Sequence, residues 1–382
     1  MNIIARVRLL TNVEQKEALL ETMTQYNAAC NTISLTAWEN NIYGKYDLHH
    51  QCYHSVRDQF PTLSANHVIR AISRVSASYK LLNKNEKKAY SRFKKGEVER
   101  WYRDKRSFKW RNGIELDARL WGFLRDGSMT IASTSGRVKH INWAVNEHNK
   151  YLLQHRTDSA TLVYRHGNFY LHVVCDIPQK ETYQGRDFIG IDMGISNIAV
   201  SSDGEFWNGK EIEYKRQWYA WRKAQLQQVG TDSAKRRLQK LSGKENRFKR
   251  DVDHCISKHV VTNAECTGRG IALENLEGIT TRTKAIRKEQ RAKHHNWSFY
   301  RLGTYIQYKA DLQGVPIEIV NPAYTSQECP NCGHTERSNR TSQSQFQCRS
   351  CEYKNHADYV AALNIRNRAI QQAYGRLDLQ AP

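Results

Sequence analysis

Three acidic residues adjoin apolar runs in the second half of the chain. Asp192 follows Phe188–Ile191, Glu274 follows Ile271–Leu273, and Asp358 precedes Tyr359–Ile365. An acid directly after a buried strand lies at the edge of its sheet, where ligands collect, and an acid that opens a helix is favoured by the helix dipole. If the three converge, they can hold two divalent ions roughly 3.5–4 Å apart for phosphodiester hydrolysis. Oxygen ligands of this kind suit Mg2+.

Each acid also has an ordinary structural interpretation when it is taken alone. Asp358 could be a helix N-cap, and Asp192 could be a turn residue before Gly194. Glu274 could pair with a base at the end of its strand, and the neighbouring Glu277 is a rival ligand. Spacing by itself does not decide between these roles and a shared site.

Four cysteines near the C-terminus have the spacing of a metal site. They form two C-x2-C pairs separated by fifteen residues, namely Cys329, Cys332, Cys348 and Cys351. Two such knuckles can bind one Zn2+ through four thiolates, which is a closed, structural site. The other five cysteines are scattered singly, and a basic chain without a secretory signal favours a reducing compartment where thiols stay reduced.

The charge balance indicates a polyanionic partner. The chain has 382 residues, with 59 Lys and Arg against 38 Asp and Glu, and a net charge of +21. Such an excess favours nucleic acid, and aromatic residues beside basic ones, as in Lys215–Trp218, suit stacking on unpaired bases. No 18-residue apolar run and no signal-like N-terminus occur, so we expect a cytoplasmic protein without a membrane span.

The first half of the chain reads as helices inserted into a set of strands. Residues 3–10 alternate like a strand, and residues 12–31 read as a helix capped by Asn12. A clearer helix over 64–82 begins at Ser64, buries a stripe at helical spacing and continues into a charged helical stretch at 85–106. That stripe comprises Val68, Ile72, Val75 and Tyr79. Strands follow at 129–132, 160–164 and 169–174.

The second half alternates strands and helices. Strands are expected at 188–192, 198–201, 271–274 and 316–320, and helices at 211–265, at 297–312 and from 358 onward. The helical stretch around 235–250 and the segment 283–294 are rich in Lys and Arg, so both are expected to hold a nucleic-acid backbone.

Three short motifs resemble those of the TnpB family, the nucleases encoded by certain prokaryotic insertion sequences. Ile189–Gly194 resembles the first RuvC motif, Leu273–Leu276 the second and Asn355–Ile365 the third. Asn275 stands where the family usually has Asp, and Val360 where it usually has Asn. Both departures concern neighbours of the acids rather than the acids themselves.

The resemblance implies an α/β multidomain fold with a ribonuclease-H-like (RuvC) core. By position it assigns residues 1–10 and 116–185 to a β-barrel wedge domain and 11–115 to an α-helical recognition domain. Residues 186–325 and 353–368 would form the nuclease domain, 326–352 a zinc ribbon that binds the target nucleic acid, and 369–382 a C-terminal tail.

The resemblance also implies an RNA-guided endonuclease that cleaves double-stranded DNA beside a short motif. Asp192, Glu274 and Asp358 would be the catalytic ligands of two Mg2+ ions, with Zn2+ confined to the ribbon. The expected partners are a guide RNA from the transposon end, with one protomer per guide, and target DNA. Six side chains are expected to contact nucleic acid: Asn66, Arg70, Arg74, Arg236, Arg237 and Arg247.

Other functions remain possible from the sequence. A miniature type V CRISPR effector would share the fold, and a catalytically silent RNA-guided repressor would bind without cutting. The three intact acids argue against the repressor. A direct strand transferase is disfavoured because no nucleophilic tyrosine accompanied by a histidine pair is evident.

Overall fold

A computed structural model of the chain describes residues 1–94, 96, 104–144, 146–185, 187–194, 197–208, 210–275 and 299–378. It consists of two compact units, residues 1–177 and 178–382. Within the described residues no helix is both long enough and apolar enough to cross a membrane.

Three helices dominate the first half of the first unit: α1 (Val13–Glu39), α2 (Lys45–Gln59) and α3 (Ala65–Lys94). Asn12 caps α1 as predicted, because its side chain accepts from Gln15 N while Gln15 Oε1 accepts from Asn12 N. Helix α2 was not predicted, since its His-rich sequence buries only Leu48, Cys52 and Val56.

The predicted apolar stripe of α3 is confirmed. Val68, Ile72, Val75 and Tyr79 are all fully buried. The helix ends at Lys94, and the chain is not helical over 104–106, so the predicted helix over 85–106 is too long at its C-terminal end. Residues 95 and 97–103 lie outside the described part of the chain.

The rest of the first unit is one antiparallel sheet in the order β2-β6-β7-β1-β5-β4-β3. Its strands are β1 (Asn2–Leu10), β2 (Ile114–Leu116), β3 (Trp121–Phe123), β4 (Met129–Ser133), β5 (Gly136–Trp143), β6 (Arg156–Arg165) and β7 (Asn168–Asp176). The N-terminal strand lies between β7 and β5, so it completes the sheet across the helical insertion. Trp121 Nε1 donates to Asp158 O at 2.9 Å, which draws β3 toward β6 and nearly closes the sheet. Helix α4 (Glu147–Gln154) connects β5 to β6.

The second unit has a five-stranded sheet in the order β10-β9-β8-β11-β12. Its strands are β8 (Phe188–Asp192), β9 (Asn197–Ser201), β10 (Phe206–Asn208), β11 (Gly270–Glu274) and β12 (Ile317–Val320). Strands β10, β9 and β8 pair antiparallel, whereas β8, β11 and β12 run parallel. All four predicted strands of this half are present.

Side chains alternate along each strand, so both faces of this sheet are apolar and both are covered by helices. The helices of this unit are α5 (Lys210–Val229), α6 (Asp232–Thr267), α7 (Phe299–Gln313) and α8 (Ala357–Asp378). Ile189 and Leu273 pack on one face with residues of α6 and α7, whereas Phe188 and Ala272 pack on the other face with Ile365 of α8.

The segment between β12 and α8 carries the two cysteine pairs. It contains a short hairpin of β13 (Gln345–Gln347) and β14 (Lys354–His356) and one turn of 3-10 helix over Arg337–Asn339. Phe346 packs with Cys329 and Cys348 and with Ala357 and Val360 of α8. The apolar core of this hairpin is therefore continuous with the first turn of α8.

Two expected boundaries need correction. Residues 178–185 belong to the second unit rather than to the sheet of the first, because Lys180 N and Tyr183 N donate to Leu312 O and Gly314 O. Helix α8 runs to Asp378 with Ala369 buried, so residues 369–378 are helix and not a separate tail. The basic segment 283–294, Glu277 and Leu276 lie outside the described residues.

Candidate carboxylate site and zinc ribbon

A glycine lets α8 approach the central strand. A Cβ on Gly190 would overlap the Ala362 carbonyl oxygen and the backbone nitrogen of Arg366, so a larger residue would push the helix from β8. Asp358 lies one turn before Ala362, and Asp192 lies two residues after Gly190. The close contact thus places both acids at the same end of the sheet.

Alternation along the strands aims the two strand acids at the same helix. Residues 188 and 190 of β8 and residue 272 of β11 face α8, so Asp192 and Glu274 face it as well. The strands pair in parallel with Leu273 opposite Ile191, which brings the two acids side by side at their carboxyl ends.

The electrostatics of Asp192 indicate that Glu274 and Asp358 lie near it. Burial, followed by the charges of Glu274 and Asp358, raises the pKa of Asp192 to about 8, while Arg340 opposes the shift. Burial also raises the pKa of Glu274, and the Thr325 hydroxyl and the Arg368 charge oppose it. Perturbation of this kind is typical of functional sites.

Two side chains fix the Asp358 carboxylate. Asn197 Nδ2 at the start of β9 donates to Oδ2 at 2.9 Å, and Arg340 of the cysteine-bearing segment donates to Oδ1 at 3.2 Å. Asp358 is 9% exposed, so these two donors provide hydrogen bonds to a carboxylate that has little access to water. Neither residue was predicted, because a lone Asn or Arg gives no signal in the sequence.

Glu274 is held in a similar way. The Thr325 hydroxyl donates to its Oε1 at 2.5 Å, and Thr325 itself is buried. Thr325 precedes Cys329 by four residues, so the segment that carries the cysteines contacts two of the three acids. The role of Thr325 was also missed.

The four cysteines are gathered as their spacing predicts. Their sulfur atoms all lie within 4.8 Å of one another, and the Cys329–Cys351 and Cys332–Cys348 pairs are each 3.6 Å apart. Tetrahedral Zn–S bonds of about 2.3 Å imply sulfur separations of about 3.8 Å, close to those observed. Backbone nitrogens of Ser350 and Cys351 approach the Cys348 sulfur at 3.3 and 3.5 Å, which suits a thiolate. These residues fit zinc.

The carboxylates are spaced more widely than the thiols. Among the described residues, only the four cysteines bring three or more ligand atoms within 4.8 Å of one another. When two ions roughly 3.5–4 Å apart share the acids, the ligand oxygens need not all lie within 4.8 Å of one another.

The expected nucleic-acid contacts on α3 are engaged within the chain. Arg70 Nε bonds Asp117 Oδ2 at 3.0 Å, and Arg74 donates to the Gly113 carbonyl and lies over the ring of Phe108. Asn66 is half-buried. These contacts give both arginines a structural role and do not favour the predicted base-reading face.

Helix α6 presents a continuous basic face instead. Five exposed residues lie within an arc of about 100° at 3.6 residues per turn, namely Arg236, Arg237, Lys240, Lys244 and Arg247. The neighbouring α5 carries an exposed aromatic stripe of Tyr214, Trp218 and Trp221, which are 72%, 46% and 56% exposed. The helical hairpin of α5 and α6 thus carries both an exposed basic face and an exposed aromatic stripe.

Comparison with known proteins agrees with the motifs. The chain matches the family model described as "Probable transposase" over residues 172–280 and the model of the Cas12f1-like TNB domain over residues 299–365. The first spans Asp192 and Glu274, and the second spans the cysteines and Asp358.

Relatives and a solved structure point the same way. The chain is 31% identical to a CRISPR-associated endodeoxyribonuclease Cas12f1 of Syntrophomonas palmitatica over 49% of this chain and 40% of that relative. It is 27% identical to a TnpB-like protein of Methanocaldococcus jannaschii over 59% of this chain and 84% of that relative. This chain therefore aligns with less than half the length of the Cas12f1 relative.

The fold matches a Cas12f1 in complex with sgRNA and target DNA with a TM-score of 0.63 and 15% identity, over 94% of this chain and 84% of that one. The predicted resemblance to the TnpB family is thus confirmed, and the chain is similar to the TnpB and Cas12f proteins.

Proposed function

We propose that this protein is an RNA-guided DNA endonuclease that cleaves double-stranded DNA, with Asp192, Glu274 and Asp358 as its catalytic residues. The convergence of these acids at one end of the second sheet is the observation that carries the proposal. Three antiparallel strands continued by two parallel ones, with helices on both faces, support a ribonuclease-H-like core. The TnpB and Cas12f relatives support the nuclease assignment.

The side chains around the acids suit phosphodiester chemistry. Two Mg2+ ions bound by the three carboxylates would supply activation of water and charge stabilisation at the leaving oxygen. Asn197 and Thr325 hold Asp358 and Glu274 in fixed rotamers. Arg340 keeps a positive charge at the edge of the site, where it partly offsets the repulsion among the three acids.

The zinc ribbon serves the site as a structural element. Its four thiolates leave no open coordination position, so it does not carry out the hydrolysis. Its hydrophobic contact with Ala357 and Val360 anchors the turn of α8 that carries Asp358. The resemblance to the TnpB family further implies that the ribbon binds the target nucleic acid.

The helical hairpin of α5 and α6 is the best-supported nucleic-acid surface. Residues 210–250 contain thirteen Lys and Arg against four acids, and the aromatic stripe on α5 can stack on unpaired bases. The proposed ligands are a guide RNA from the transposon end and the DNA strand that it pairs with. One protomer per guide, a cytoplasmic location and the wedge and recognition roles of the first unit remain parts of this proposal.

The decisive experiment isolates the protein from its native locus and sequences any bound RNA. The purified complex is then incubated with a plasmid that carries the matching target and Mg2+. We expect Asp192→Ala to abolish cleavage while the bound RNA is retained, and Asp251→Ala, an exposed acid on α6, to cleave like the parent. Cleavage by Asp192→Ala would refute the site, and the absence of a discrete RNA would refute guidance.

A CRISPR effector is the second candidate, because a Cas12f1 endonuclease is among the relatives. The source of the bound RNA separates the two. RNA that reads into the end of a mobile element supports the first function, whereas RNA from a repeat array supports the second.

A further inference from the structure

A short segment, residues 321–328, connects the last strand of the second sheet to the first zinc knuckle. Thr325, which is 4% exposed, lies in its middle. Its hydroxyl has two acceptors within reach, Glu274 Oε1 at 2.5 Å and the Pro322 carbonyl at 3.2 Å. A hydroxyl can donate only one proton. The carboxylate is both the closer and the stronger acceptor, so the hydroxyl donates to Glu274.

Two side chains of helix α8 hold this segment through hydrogen bonds. Asn364 Nδ2 donates to the carbonyls of Thr325 and Glu328 at 2.8 and 2.7 Å. One turn further, the Arg368 guanidinium donates to the carbonyls of Asn321 and Ala323 at 2.8 and 2.6 Å, and its other nitrogen bonds the Glu328 carboxylate at 2.6 Å. Four backbone carbonyls of one short segment are thereby fixed by two side chains of one helix.

The same helix opens with Asp358. One rigid element therefore carries one acid directly and sets the position of a second acid through Thr325. Cys329 follows the clamped segment immediately, so folding of the zinc knuckle restrains the segment from its other end.

We propose that Thr325 is a positioning residue that holds Glu274 in the ion-binding orientation, and that residues 321–328 couple the zinc ribbon to the carboxylate site. This inference rests on the proposed ion-binding role of the three acids. It predicts that the hydroxyl matters for ion affinity and not only for packing.

Mn2+ binding, followed by electron paramagnetic resonance on the zinc-loaded protein, tests the role of the hydroxyl. Thr325→Val keeps the shape of the side chain but removes the donor, and we expect it to weaken Mn2+ binding about 10- to 100-fold, as for other residues that orient metal ligands. Thr325→Ser restores the donor and should restore most of the affinity. The matched control is Thr267→Val, whose exposed hydroxyl donates to backbone carbonyls of its own helix, at Asn263 and Ala264, and accepts from Arg269 Nε.

A second comparison tests the coupling. Cys332→Ser, prepared free of zinc, should weaken Mn2+ binding in the parent background, and the same change should have much less effect when Thr325 is already Val. Equal effects in both backgrounds would show that the ribbon acts by another route and would overturn the coupling.

The outcomes separate this inference from the proposed function. If the parent binds no Mn2+, or if Asp192→Ala binds Mn2+ like the parent, the carboxylate site itself is wrong. If Asp192→Ala loses binding while Thr325→Val binds like the parent, only the role of Thr325 is refuted. Loss of binding in both Thr325→Val and Thr325→Ser would also refute it, because the serine retains the donor.

Discussion

Asp192 combines features that destabilise an anion in a folded protein. Partial burial of its carboxylate and the charges of Glu274 and Asp358 raise its pKa to about 8 despite the opposing charge of Arg340. Natural folds retain such arrangements where a ligand supplies the missing positive charge. The energetic cost of the site is therefore itself an argument for cations.

That cost can be measured in the absence of divalent ions. Asp192→Asn removes one of the three repelling acids while keeping nearly the same volume, so we expect its melting temperature in EDTA to exceed that of the parent by about 2–4 °C, equivalent to about 1 kcal/mol for a unit of this size. Adding Mg2+ should raise the melting temperature of the parent more than that of the variant, since only a bound ion stabilises the folded state. Equal responses to Mg2+ would argue against ion binding at Asp192.

At the level of elements, the direction of side chains on α6 decides which basic residues meet the solvent. Glu245 on the opposite side of the helix pairs with Lys223 of α5 and with Lys249, so those lysines are used within the fold. The five basic residues of the exposed face are left for other ligands. On α3 the opposite holds, because Arg70 and Arg74 are turned inward to Asp117 and Gly113.

The basic face of α6 predicts a change in salt dependence. The triple change Arg236→Gln, Lys240→Gln and Arg247→Gln should weaken binding to single-stranded nucleic acid and lower the slope of log K against log[salt] by about 2, since each lost phosphate contact removes about 0.7. Filter binding between 50 and 300 mM KCl measures this slope.

The control for this change is Lys235→Gln, which lies off the face and pairs with Asp232. An unchanged slope in the triple variant would place the nucleic acid elsewhere on the molecule.

For the whole molecule, the order of the strands in each sheet depends on segments that are distant in the sequence. The N-terminal strand lies between β7 and β5 of the first sheet, more than 130 residues away along the chain. Two of the three acids, Asp192 and Glu274, end strands of the second sheet, and the third, Asp358, lies on α8 directly after the cysteine-bearing segment. This order in the chain motivates a test of whether the ribbon and the site are linked.

Removal of zinc should loosen the site without unfolding the first unit. We expect hydrogen exchange over residues 325–360 to accelerate in zinc-free protein, because the ribbon core is shared with Ala357 and Val360 of α8. Exchange in residues 1–177 should stay at the level of the zinc-loaded protein. Uniform acceleration in both units would instead indicate that zinc stabilises the whole chain, and no acceleration would show that the cysteines are not structurally required.

Local pattern determined much of this protein. The four cysteines, the strands that end at Asp192 and Glu274, the cap at Asn12 and the buried stripe of α3 all follow from neighbours within a few residues, and each was predicted. Resemblance to known motifs then joined the three acids into one expected site, which periodicity and spacing alone had left open.

Tertiary structure decided what depends on distant partners. That Gly190 admits α8, that alternation turns both strand acids toward that helix, and that Asn197, Thr325 and Arg340 hold the carboxylates are consequences of packing between segments far apart in sequence. The same reason applies to Arg70 and Arg74, because their helical spacing is equally compatible with a nucleic-acid-binding face and with contacts to Asp117 and the Gly113 carbonyl, about forty residues away. Helical or strand spacing in the sequence determines which residues share one face of an element, whereas only the folded chain shows which groups that face contacts.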